Sequence, residues 1–131
     1  GSGGGETTAK NRAVTRMLED LAERPTFPVF FRGLPALGVD GTLASVTDFE
    51  ADPTLAGAKG QVRAKTGTYV GESDSRLLLK GQSYGGYIHT QSGKRLVYEL
   101  VVNNVPISSV ADVFTVFEDQ GTISAMLWRD N

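Results

Sequence analysis

The stretch Arg63-Ala64-Lys65-Thr66-Gly67-Thr68-Tyr69 has the clearest capacity for chemistry, because an ammonium, a hydroxyl and bare backbone follow one another there. On a strand, that order suits a ligand that ends in a carboxylate and carries peptide groups. Lys65 supplies the cationic field, and Thr66 and Thr68 supply hydrogen bonds. The backbone can pair with the ligand as with an added strand, and Gly67 lets it come close. Lys65, Thr66, Gly67 and Thr68 are therefore the candidate binding residues. A bare Lys-Thr-Gly tripeptide recurs by chance in many proteins, so its surroundings have to carry the assignment.

The spacing predicts one regular element before it. Val14, Met17, Leu18 and Leu21 form an i, i+3, i+4, i+7 stripe in a surface helix over Asn11 to Arg24. Pro25 ends that helix, and Pro28 and Pro35 predict an extended Thr26 to Leu37. Gly38 to Leu43 and Asp48 to Gly60 have turn composition, which predicts a long irregular connection that is either functional or loosely ordered. Gln61 to Val70 alternates as a strand, with Val62, Ala64, Thr66, Thr68 and Val70 on one face and Arg63, Lys65, Gly67 and Tyr69 on the other. Tyr84 to Thr90 and Arg95 to Asn103 are two more strands joined in a hairpin by Gln91-Ser92-Gly93-Lys94. The second is apolar enough to be an inner strand covered on both faces. Its cover is a terminal helix capped by Ser108 or Ser109, with Asp112 in the first turn and a stripe of Val110, Val113, Phe114 and Phe117. Gly121 either interrupts this helix or lets it approach the sheet.

Composition excludes several classes. The 131 residues suffice for one domain, and 13 basic against 15 acidic side chains leave a net charge of −2, without the clustered cations that track nucleic acid. An apolar content of 40% is that of a globular chain rather than a disordered one. No run approaches the ~18 apolar residues of a membrane span, and no secretory leader opens the sequence. With no cysteine, disulfides and thiolate metal sites are excluded, and one histidine, His89, leaves little room for a histidine metal site or triad. No metal or cofactor is expected. Hydrolytic chemistry here needs lysine or a carboxylate as its base. His89 reads as structural, Asp40 as a turn former, and Tyr84, Tyr87 and Tyr98 as cross-strand packing. Arg63 either adds positive potential beside Lys65 or is solvated.

Lys-Thr-Gly is the third of three motifs in penicillin-recognising serine enzymes. The run Gly33-Leu34-Pro35, Gly38-Val39-Asp40-Gly41-Thr42-Leu43, Val62-Arg63-Ala64-Lys65-Thr66-Gly67-Thr68, Gly86-Tyr87-Ile88 and Gly93 to Asn103 resembles the C-terminal part of D-alanyl-D-alanine carboxypeptidases of the penicillin-binding protein 4 type, peptidase family S13. Gly1-Ser2-Gly3 and Asn11 are similar to that family's Gly-Ser-Gly element ahead of a helix. The resemblance implies an α/β (α+β) class: a partial serine-β-lactamase-like, penicillin-binding-protein-like fold of antiparallel strands with flanking helices, occupying 1–131 as one segment. It implies that Lys65 and Thr68 are catalytic, Lys65 by holding a terminal carboxylate and polarising a serine, Thr68 by an oxyanion-hole amide. Lys65, Thr66, Gly67 and Thr68 would bind substrate.

The sequence departs from that pattern in three places. It has no Ser-x-x-Lys and no Ser-x-Asn, so nucleophile, base and second relay are not in this chain. Ala9 and Lys10 stand where the family commonly has an arginine. Tyr69 to Gly85 is longer than the family's link, and Glu72, Asp74 and Lys80 there are expected in a solvated loop tip. The resemblance thus implies the C-terminal part of an exported bacterial enzyme of the periplasm or cell envelope, inactive alone. Its expected partners are a peptidoglycan peptide or β-lactam, and the N-terminal portion or a second copy. Two other readings stay open: a non-catalytic strand-edge binding module, and a β-lactamase or esterase relative.

Overall fold

The computed structural model describes residues 8–73 and 75–131, so Gly1-Ser2-Gly3 and Asp74 lie outside the described residues. Helix α1 (Asn11–Ala22) buries Leu18 and half-buries Val14 and Leu21 beside it, whereas Met17 sits at the rim, 53% exposed. The extended segment expected next is instead a short helix, α2 (Phe27–Gly33). Pro28 lies in its first turn, where the missing amide has no helical partner to lose. Helical spacing brings Phe27 and Phe31 to 5.5 Å and sets both edge-on to the Tyr87 ring, at 5.0 and 5.9 Å.

The connection from 34 to 61 is irregular, as its composition predicts, with 3-10 turns at Gly41–Leu43, Asp48–Ala51 and Ala56–Ala58. It is not loosely ordered. Leu37, Leu43, Val46, Phe49, Leu55 and Ala58 are buried and build much of the main core with Val62, Ala64, Tyr84 and Ile88. Asp40 is the turn former expected: its Oδ1 accepts the Ala36 amide at 2.7 Å.

The sheet is antiparallel, in the order β1 (Val62–Ser73), β2 (Arg76–His89), β3 (Arg95–Val102), and β4 (Val105–Pro106) pairs with the start of β2. The class is α+β. Glu72 and Lys80 do not sit in a loop tip, because β1 and β2 continue as paired strands from Val70↔Leu79 to Ser73↔Arg76. A bulge between Tyr69 and Val70 leaves Lys80 unpaired and turns Val70 and Leu79 onto a second apolar cluster with Ile107 and Val113. That burial keeps the extension folded. β3 packs against α1 on one face and, through Tyr98, against the terminal helix on the other, yet it lies at the edge; β2 is the central strand.

Helix α3 (Asp112–Asp130) lies on the core face. Its start reverses the expected cap: Asp112 accepts the Ser108 and Ser109 amides on Oδ2, at 2.6 and 3.1 Å. Its buried stripe is rotated from the expected one, running through Val113, Gln120, Ser124 and Trp128, while Val110 and Phe114 are 62% and 65% exposed. Gly121 permits a close approach, but to the connection: a methyl there would lie 2.2 Å from Val46 Cγ1. No helix among the described residues is long and apolar enough to cross a membrane.

Candidate functional site

Strand β1 has one margin paired with β2 and one largely free. Along the free margin the Ala64 amide donates to Pro35 O at 3.0 Å, and Val62 O accepts from Leu37 at 2.9 Å. The amides and carbonyls of even-numbered residues therefore point away from β2. Strand periodicity extends this to Thr66 and Thr68, which precede the bulge. Beyond Ala64 nothing pairs with this edge among the described residues. Lys65 leaves the strand on the opposite face from Thr66 and is exposed, yet its ammonium curls back to the edge and donates to Thr66 O. An ammonium, the Thr66 carbonyl it bonds and the outward Thr68 amide thus meet at one open strand margin. That grouping can add a peptide strand and hold an anion at its end.

Behind the edge, Lys65, Gly67, Ser83, Gly85 and Glu99 line a cleft of about 400 Å³ walled by Val14 and Leu18 of α1, Phe30 of α2 and Leu34 just beyond it. The register explains its floor: Lys65 faces Gly85, and Gly85 faces Glu99, so two charged residues share a row with only a glycine between them. Gly67 faces Ser83, and a methyl on Gly67 would lie 3.0 Å from Ser83 Oγ. Glu99 Oε2 is buried without a hydrogen-bond partner, and burial pushes its carboxyl pKa above the usual 4.5. The sequence reading did not single out Ser83 or Glu99. A carboxylate inside the apolar run Leu96 to Val102 was the available signal.

Alternation sends both threonines to the core side. The Thr66 hydroxyl donates to Thr42 Oγ1 at 2.9 Å, and the Thr68 hydroxyl donates to Gln82 Oε1 at 2.6 Å. The four predicted residues therefore gather at the edge through one side chain and the backbone, while the hydroxyl proton of buried Thr66 goes to Thr42 and that of exposed Thr68 goes to Gln82. Thr42 and Gln82 were not anticipated from sequence.

The other residues considered are structural. Arg63 neither faces solvent freely nor joins Lys65: it donates to Leu34 O at 2.9 Å beyond α2 and lies 5.6 Å from the Phe31 centroid. His89 is exposed and packs 5.3 Å from Phe31. The tyrosines pack inside with hydroxyls bonded, Tyr84 to Phe117 O, Tyr87 to Leu18 O and Tyr98 to Ser124. Glu72 is exposed, and Lys80 lies over the Tyr69 ring at 5.9 Å. No group of three or more potential metal ligands occurs among the described residues.

A cationic residue, a hydroxyl residue and glycine on an exposed strand edge, set on a helix-flanked antiparallel sheet, are features of acyl-transferring enzymes that recognise peptide carboxylates. The chain belongs to the D-Ala-D-Ala carboxypeptidase 3 (S13) family, whose model matches residues 6–118. Among curated proteins no sequence matches it.

Proposed function

We propose that this chain is the C-terminal part of a serine-type D-Ala-D-Ala carboxypeptidase or endopeptidase of the bacterial cell envelope. It acts on peptidoglycan stem peptides, is acylated by β-lactams, and needs a serine nucleophile from a portion outside this sequence. The observation that carries the reading is the open margin at Thr66 to Thr68 with the Lys65 ammonium turned onto it, in a chain of this family. Lys65 exchanges the Thr66 carbonyl for the substrate's terminal carboxylate and polarises the second serine supplied by that other portion. The substrate backbone pairs along Thr66 to Thr68. The outward Thr68 amide and the nucleophile's own amide hold the developing oxyanion, and each such donor is worth about 3 kcal/mol in other hydrolases.

Residues 1–131 act in this reading as one segment of a larger penicillin-binding domain. The outer margin of β3, unpaired among the described residues, and exposed apolar residues such as Val29 and Phe114 make a companion segment or a second copy the expected neighbour. A monodisperse monomer in light scattering contradicts that part. The function is tested with fluorescent penicillin on the protein carrying this chain together with its serine-bearing portion. Covalent labelling that is lost in Lys65→Ala supports the enzyme. Absence of labelling in the wild type counts against it and favours a strand-edge binding module.

A further inference from the structure

Beneath Thr68 lie two fully buried glutamines, Gln82 on β2 and Gln120 on α3. Gln120 Nε2 is 3.2 Å from both Gln82 O and Leu100 O. Backbone carbonyls only accept, so these contacts fix the nitrogen of that amide on the sheet and leave Gln120 Oε1 as an acceptor. Gln120 Oε1 and Gln82 Nε2 are both buried without a partner, one an acceptor and the other a donor, on side chains of residues already in contact. Gln82 Oε1 takes the Thr68 hydroxyl proton. The polar thread thus runs from α3 through Gln82 to the motif. Unsatisfied amide atoms in a core cost about 1–3 kcal/mol each, so packing alone does not account for the pair.

We propose that Gln82, whose backbone carbonyl is tied to Gln120 of α3, is a positioning residue that sets the Thr68 hydroxyl for its ligand; this rests on the reading that a carboxylate binds at the margin of β1. In the arrangement observed, the Gln82 carbonyl draws the Thr68 proton inward. A carboxylate arriving at the edge needs that proton. A half-turn of the Gln82 amide presents Nε2 as donor to Thr68 Oγ1 and releases the hydroxyl proton outward, with the threonine oxygen anchored throughout. Gln82 can do this because its amide carries both a donor and an acceptor at one site. An apolar side chain of the same length can do neither.

The test measures the rate of acylation by fluorescent penicillin in the full-length protein for wild type, Thr68→Val, Gln82→Met, the double variant and Thr68→Ser. Thr68→Val and Gln82→Met are each expected to slow acylation about threefold to tenfold, the worth of one net hydrogen bond. The double variant is expected to be no slower than either, and Thr68→Ser close to wild type. Multiplying losses in the double variant, or Gln82→Met at the wild-type rate, overturn the inference while leaving the enzyme reading intact. A wild type that is not acylated overturns both. A readout independent of how Gln82→Met folds is the Gln82 side-chain amide resonance of this chain: it shifts in Thr68→Val if the two are coupled, and an unmoved resonance refutes the coupling.

Discussion

Two adjacent glycines on β2 make opposite demands, and exchanging each for alanine tests the packing that places the motif. Gly86 faces Ala64 in the register, and an added methyl would lie 2.1 Å from Arg63 O and 2.8 Å from Ala64 Cα. Both neighbours are backbone, so no side chain can swing aside. To open 2.1 Å to the 3.4 Å at which ordinary contact begins, β1 has to move away by about 1.3 Å. Overpacking of this kind costs about 3 kcal/mol, roughly 10 °C in melting temperature for a domain of this size. The displacement falls one residue from Lys65, and a 1 Å misplacement of a positioned group lowers turnover by about 100-fold. Gly85 differs: its methyl would meet Val14 Cγ1 at 3.9 Å and Leu18 Cδ1 at 4.0 Å, which is ordinary contact. Gly85→Ala should therefore be neutral or more stable by about 0.5–1 kcal/mol, through the lower entropy of the unfolded chain. Urea unfolding followed by circular dichroism separates the two. Equal stability of Gly86→Ala and wild type, or equal destabilisation by both substitutions, refutes the close approach of β1 and β2.

Three further outcomes follow from the structure. The folded Glu99 carboxyl holds its proton more tightly than the unfolded one, so the folded state binds the excess proton above pH 4.5, and wild-type stability falls as pH rises through that window; Glu99→Gln should be more stable at neutral pH and lose that dependence in melts at pH 5 and 7.5. Burial pushes the Tyr84 and Tyr98 phenols well above their ordinary 10, so stability falls above about pH 10, where unfolded tyrosines ionise first; their phenolate absorbance should appear only together with loss of the far-ultraviolet signal. Asp112→Ala removes the acceptor for two amides ahead of α3 and should cost about 1 kcal/mol in urea unfolding, with Asp112→Asn losing less because it keeps an oxygen.

Residues close in sequence announced themselves. The stripe of α1, the alternation of β1, the Gln91 to Lys94 hairpin and the Asp40 turn are local patterns, and the ordered run of segments around Lys65 to Thr68 pointed to the family. The errors arose where distant partners decide. Thr26 to Leu37 read as extended from its prolines, but Tyr87, far along the chain, gives Phe27 and Phe31 a surface that rewards a helix. The segment after Tyr69 read as a loop, although Leu79 and Val70 find Ile107 and Val113 to pack on. The α3 stripe was misplaced because Val110 lies ahead of the helix and Phe114 turns to solvent, while Val113 packs on Leu79 and Ile107.

Sequence alone determined the chemical inventory at the site: one lysine, two hydroxyls and a glycine in strand alternation, without a nucleophile of the family's kind. Tertiary structure decided what each of them faces. Which backbone groups of β1 point outward follows from pairing with Pro35 and Leu37, and the row from Lys65 over Gly85 to Glu99 exists only through the registers of β2. The partner of the Thr68 hydroxyl is Gln82, and Gln120 of α3, 38 residues further on, bonds the backbone of that residue. Local spacing fixes the face on which a side chain leaves a strand, whereas hydrogen-bond partners and burial are set by chain segments that meet only on folding.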